Sequence, residues 1–168
     1  MNIKKIETKK DLEKVFVALN EQIYSYIFVR SNYKKELAED ITQDVFIKVW
    51  NKRELFDPSK SSLKNWIYII ARNTLIDFQR TSKNEVSIDE DEHNLTLENA
   101  LEGTENSLMM ETLKNGLNRL SNQDKEIITL RYIQDIDIKD VSNIINKNYI
   151  ATKVMLHRAL EKLKKVMK

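Results

Sequence analysis

Apolar positions recur along this chain at helical spacing, and polar breaks divide them into segments. The first segment opens at Thr8, where Asp11 completes a capping-box-like pair. Leu12, Val15, Phe16, Leu19, Ile23 and Ile27 then mark one apolar face. A polar run at 31–36 ends it. Residues 37–51 carry two stripes. Ile41, Val45 and Val49 make a core face, while Asp40, Gln43, Asp44, Ile47 and Trp50 recur at i, i+3, i+4, i+7 and i+10. A helix with two such faces has two clients, its own core and something outside it. A loop at 55–62 holds the sequence's single proline. Ser61 or Ser62 then caps a third helix that faces inward through Leu63, Trp66, Ile67 and Ile70 and decays into polar residues near 81.

The pattern resumes near Met110. Ser121 with Asp124 and Asp137 with Asp140 read as two further capping pairs, the first leading into EIITLRYI and the second into VSNII. Asn146-Lys147-Asn148 reads as a tight polar turn, because Asn tolerates a left-handed backbone. A long helix follows from about Tyr149. Thr152, Leu156, Ala159, Leu160 and Leu163 fall on its inward face. Ala151, Val154, Arg158, Glu161 and Lys165 point away, flanked by Lys153 and His157.

Charge divides the 168 residues into three zones. Residues 84–113 hold nine acidic residues and no Lys or Arg. Residues 1–83 hold 16 basic against 11 acidic residues, and residues 114–168 hold 12 against 6, so two basic units flank an acidic connector although the net charge is only +2. The connector reads either as a solvated linker or as a strand whose field imitates a nucleic acid. Two glycines and one proline are too few turn residues for a strand-rich fold. The expected fold is therefore all-α: two small helical domains joined by an acidic flexible linker, the C-terminal one a helix-turn-helix. The boundaries expected are 1–83, 84–110 and 111–168.

The absence of cysteine rules out disulfides and thiolate metal ligands. His157 and His93 read as surface histidines, with no second His or Cys at ligand spacing. No catalytic residue, metal or cofactor is expected. The first residues lack the apolar run of a signal peptide, and no stretch approaches the roughly 18 apolar residues of a membrane span. A cytoplasmic protein without direct membrane insertion is expected.

The final helix, preceded by a short helix and a tight turn, has the helix-turn-helix layout that places cations near phosphates and a few side chains near base edges. Val154 suits a thymine methyl. The same helix also reads as an ordinary solvated amphipathic one. In the third helix, Asn65, Tyr68 and Arg72 are spaced i, i+3, i+7, with Lys64, Asn73, Gln79 and Arg80 close by. Such groups suit unstacked bases and their phosphates, and equally suit a plain exposed face.

In order and spacing, these segments resemble the bacterial RNA polymerase sigma factors of the extracytoplasmic-function (ECF) group. AEDITQDVFIKVW resembles the core-polymerase-binding helix, FDPSKSSLKNWIYIIARNTLIDFQR the promoter-melting loop and upstream-element helix, and LSNQDKEIITLRYIQDIDIKDVSNII with KVMLHRALEKL the C-terminal helix-turn-helix. The resemblance implies that Asp40, Gln43, Asp44, Ile47 and Trp50 dock on core RNA polymerase. It implies that loop 55–62 receives a flipped base while Lys64, Asn65, Tyr68, Arg72, Asn73 and Arg80 hold the melted minus-ten strand. Lys153, Val154, Met155, His157 and Arg158 would read the minus-thirty-five element of promoter DNA as duplex. The connector would thread the RNA exit path, and an anti-sigma protein is the implied regulator. The sequence departs from the family pattern at Asn146 (commonly Gly), Lys147 (commonly apolar), and Val154 and Met155 (often Ser and Arg), so the resemblance does not fix the base preference of this reading helix.

Two other functions fit parts of the chain. An operator-binding helix-turn-helix regulator that never joins polymerase would not need the second stripe on residues 37–51. A helical nuclease would need a site, and only the acids at 89–92 offer a metal-binding cluster.

Overall fold

A computed structural model describes residues 5–85 and 105–167 as seven α-helices and two short irregular helical turns. They form two compact units, one containing α1–α3 and the other containing α4, α5 and α7. The clustered acids at 89–92 and His93 lie outside the described residues.

In the first unit, α1 (Lys9–Arg30) starts at the expected box: the Asp11 N–H donates to Thr8 Oγ1 at 3.2 Å, and the Thr8 N–H donates to Asp11 Oδ2 at 3.0 Å. Val15, Leu19, Ile23, Tyr26 and Ile27 are buried along it. The helix stops by a Schellman closure. Asn32 is left-handed at φ 56°, and the Tyr33 N–H reaches back to the Phe28 carbonyl at 2.8 Å. The rings of those same two residues meet edge-on at 5.4 Å, which is the apolar contact this closure favours. Burial raises the Tyr33 phenol to about 12.

Helix α2 (Lys35–Asn51) buries Ala38, Ile41, Thr42, Val45, Phe46 and Val49. Thr42 satisfies its hydroxyl on the Ala38 carbonyl at 2.6 Å. A 3-10 turn (Arg53–Leu55) leads into the proline loop, where buried Phe56 packs on Trp66 at 5.2 Å. Asp57 accepts the N–H and the hydroxyl of Ser59 at 2.9 and 2.7 Å, an Asx turn. Of the two candidate caps for α3 (Leu63–Glu85), Ser62 is the one used: its Oγ accepts the Asn65 N–H at 3.2 Å.

In the second unit, α4 (Glu105–Asn118) starts ahead of the boundary expected at Met110. Ser121 caps α5 (Asn122–Ile128) by accepting the Asp124 N–H at 3.2 Å. A π-helical stretch (Thr129–Ile133) follows, then α6 (Ile138–Ile144) and α7 (Tyr149–Val166). Asp137 caps α6 through the Lys139 N–H at 2.8 Å. Asn146 closes α6 as a second Schellman motif: φ is 54°, and the N–H groups of Lys147 and Asn146 bond the carbonyls of Ser142 and Asn143. Asn148 then caps α7 through the Ala151 N–H at 2.7 Å.

Two polar links tie this unit together. Buried Lys125 donates to Asn118 Oδ1 at 2.8 Å, and Lys162 pairs with Asp124 at 2.6 Å, joining α7 to α5. At Gly116 a Cβ would meet Met167 Cγ at 2.9 Å and Leu163 Cδ1 at 3.1 Å, so α4 approaches α7 through the missing side chain.

Candidate nucleic-acid and partner interfaces

Helix α2 has the two faces expected of it. Val45 and Val49 are completely buried, whereas Asp40, Gln43, Asp44 and Ile47 are exposed, Ile47 by 57%. Trp50 is half-buried, and the Arg53 guanidinium lies over its ring at 4.0 Å. Gln43, Ile47 and Trp50 of this stripe form one wall of a surface groove of about 560 Å³ whose other wall is α1, through Lys9, Leu12, Glu13 and Phe16. Phe46 forms the floor with Phe16, ring centroids 4.9 Å apart. The sequence places Phe16 on the core face of α1, but it is 42% exposed. Periodicity identifies the apolar face of a helix; it does not say where along the helix the cover ends. Carboxylates at the edge and large apolar groups within fit a partner helix that carries both kinds of contact.

The α3 surface differs from expectation. Lys64 and Arg72 are partly buried, and Asn73 and Arg80 are exposed, Arg80 pairing with Asp77 at 3.3 Å. Asn65 and Tyr68 are buried. Tyr68 meets Tyr26 edge-on at 5.6 Å, and burial raises its phenol well above the ordinary range. The expectation that Asn65 and Tyr68 present themselves to a melted strand is therefore corrected: both belong to the packed side. The reason is that α3 packs on both α1 and α2, so its buried arc is wider than one stripe and takes in Ile67, Tyr68, Ala71 and Leu75 together. Lys64, Asn73 and Arg80, with part of Arg72, remain as the accessible polar set. At the loop, Leu55 is exposed while Phe56 is anchored.

On α7, Thr152, Ala159 and Leu163 are buried, and Leu156 and Leu160 lie partly covered beside them. Lys153, Val154, His157 and Arg158 are exposed and Met155 is half-buried. Ile150 was missed from sequence. It is 74% exposed and lies one helical turn before Val154, on the side opposite the buried stripe. The signal was available, since the core face of α7 has no place for a residue in that register. Lys153 holds its ammonium 5.6 Å from the Tyr149 ring centroid.

The fold and these surfaces define a class: two helical modules, one with a two-faced helix beside a basic one, the other a basic helix-turn-helix. The family profile for sigma-70 region 2 matches residues 16–85, and that for sigma-70 region 4 matches residues 110–163. The ECF RNA polymerase sigma factor SigM of Bacillus subtilis is 28% identical over 154 residues, covering 91% of this chain and 93% of its own length. The RNA polymerase sigma factor YlaC of the same organism is 28% identical over 163 residues, covering 95% and 93%. Among solved structures, the sigma factor RpoE of Bartonella quintana, crystallised with the anti-sigma factor NepR, superposes with a TM-score of 0.78 at 25% identity, covering 94% of this chain and 97% of that one. The chain belongs to the sigma-70 family, in its ECF group, and its function is promoter recognition and transcription initiation with RNA polymerase.

Proposed function

We propose the division of labour among the three surfaces. The groove between α1 and α2 is the docking site for core polymerase, with Gln43, Ile47 and Trp50 on one wall and Phe16 on the other, and with Asp40 and Asp44 exposed on the same stripe of α2. Lys64, Arg72, Asn73 and Arg80 guide the melted minus-ten strand by phosphate and base contacts, beside the loop at 55–62. Extruding a base costs a few kcal/mol of stacking, which a pocket and a cationic surface offset. Helix α7 reads the minus-thirty-five duplex through Lys153, Val154, Met155, His157 and Arg158. The protein contributes binding energy and no bond chemistry of its own, and it acts in the cytoplasm. The chain is similar to a sigma factor crystallised with an anti-sigma protein, which supports a regulator of that kind here.

The observation that carries this reading is the exposure of Ile47 beside Trp50 on a helix whose opposite face is fully packed. A large apolar group kept in water next to a groove marks an interface rather than a core. The test is co-purification of the Asp44→Ala, Ile47→Glu double variant with core polymerase. Both positions are exposed, so the fold should persist, with an unchanged helical circular dichroism spectrum, while the complex is lost. Retained complex would remove the docking assignment.

A further inference from the structure

Helix α7 turns an apolar patch toward solvent where a reading helix is expected to be polar. Ile150 and Val154 are 74% and 44% exposed, and they lie i and i+4, directly opposite the buried Thr152, Ala159 and Leu163. Exposed Lys153, His157 and Arg158 surround them. Lys153 inclines toward Tyr149, so its stem is drawn to that ring at the flank. Single exposed apolar residues need no explanation. An adjacent pair on the outer face of a helix-turn-helix, flanked by Lys153 and Arg158, has a definite complement.

Cations suit the phosphates that line a major groove, and they position the helix without reading sequence. Side chains at the centre do the reading. Ile and Val offer no hydrogen-bond donor or acceptor, and the one apolar group on any base edge in that groove is the C5-methyl of thymine. A guanine or cytosine edge pressed against Ile150 would lose its water and gain no partner, which penalises it. We infer that Ile150 and Val154 form a methyl-reading pair, and that this chain selects its upstream duplex element by thymine methyls rather than by hydrogen bonds to base edges. The two residues are about 6 Å apart along the helix axis, roughly two base-pair steps, so two methyls at that separation are the natural target. The inference rests on the assignment of α7 to duplex promoter DNA.

Uracil tests it, because it pairs as thymine does and lacks only the methyl. Holoenzyme assembled from the full chain and core polymerase selects templates from a duplex library randomised upstream of the melted region. The enriched templates are then remade with deoxyuridine at single thymines. Loss of a buried methyl should weaken binding about fourfold at each of two positions. The Ile150→Ala, Val154→Ala double variant should bind thymine and uracil templates alike. Equal binding of both templates by the wild-type holoenzyme would overturn the inference, as would a double variant that keeps the preference; in either case α7 would still be a duplex reader. Failure to enrich any upstream sequence would instead refute the duplex assignment, and the methyl reading with it.

Discussion

Tyr68 separates a packing role from a nucleic-acid role. Its sequence spacing with Asn65 and Arg72 suggests an aromatic platform for an unstacked base, but the side chain is fully buried and its ring meets Tyr26 edge-on at 5.6 Å. Replacing a buried aromatic with Ala removes its transfer free energy and leaves a cavity, together about 3–5 kcal/mol. The edge-on contact accounts for about 0.5–1.5 kcal/mol of that kind of loss. A small domain has only about 5–15 kcal/mol of total stability, so Tyr68→Ala should bring the first unit close to unfolding. The two tryptophans of the chain, Trp50 and Trp66, both lie in that unit. Their fluorescence in a urea titration of the full protein therefore follows it specifically. With a slope of about 1–2 kcal/mol per molar urea, the midpoint should fall by about 1.5 M or more. Exposed Asn73→Ala should move it little, by about 0.5 kcal/mol at most. A Tyr68→Ala protein with an unchanged midpoint and defective promoter melting would refute the buried assignment and restore Tyr68 as a stacking group.

Other substitutions probe the second unit and its pH response, each read by circular dichroism during denaturation. Asn146→Ala should cost about 1–2 kcal/mol because a Cβ without a compensating polar group is strained at φ 54°, whereas Asn146→Gly should be neutral or stabilising. Gly116→Val should cost about 1–3 kcal/mol by forcing α4 away from Leu163 and Met167; no loss would show that the two helices slip without penalty. At Asp124, partial burial opposes ionisation, but hydrogen bonds from Lys162 and Ser121 and the Lys162 charge outweigh it and hold the carboxyl below its ordinary value. Its folded pKa is thus lowered, so its stabilisation is complete above the ordinary carboxylate range and fades as pH falls through the lowered value. Asp124→Asn should flatten that acid-side loss, and a curve of unchanged shape would contradict the assignment.

Local signals in the sequence were reliable wherever a short-range rule was enough. The Thr8–Asp11 box, the Ser121–Asp124 pair and the left-handed Asn146 each depend on residues within a turn or two of one another and take the expected form, while Asp137 caps α6 through the Lys139 N–H where the sequence suggests a pair with Asp140. The two stripes of α2 also survive: it packs on α1 and α3 through Ile41, Val45 and Val49 and leaves Asp40, Asp44 and Ile47 exposed. Misreadings occur where burial depends on which long-range partner meets a side chain. Asn65 and Tyr68 are covered, Tyr68 by Tyr26 of α1, although their spacing matches Arg72 and an outward face. Phe16 lies on the apolar face of α1, yet that face outruns its cover. Ile150 stands at the second position of α7, before the apolar periodicity of that helix is established, and its register places it opposite the buried face.

Phe16, Ile47 and Ile150 share a physical meaning. Each is a large apolar side chain left in water on a unit whose core is otherwise well packed, and each borders charged groups suited to a partner. Substituting a polar residue at Ile47 or Ile150 should cost the isolated protein little, since both are mostly exposed, whereas Phe16 also gives up its contact with Phe46. On the proposed assignments their contribution is realised on assembly: Phe16 and Ile47 against polymerase, Ile150 in the major groove. A protein organised in this way should show a separation of effects, in which changes at Val45 or Tyr68 abolish folding and function together while changes at Ile47 or Ile150 spare the fold and remove one binding step each.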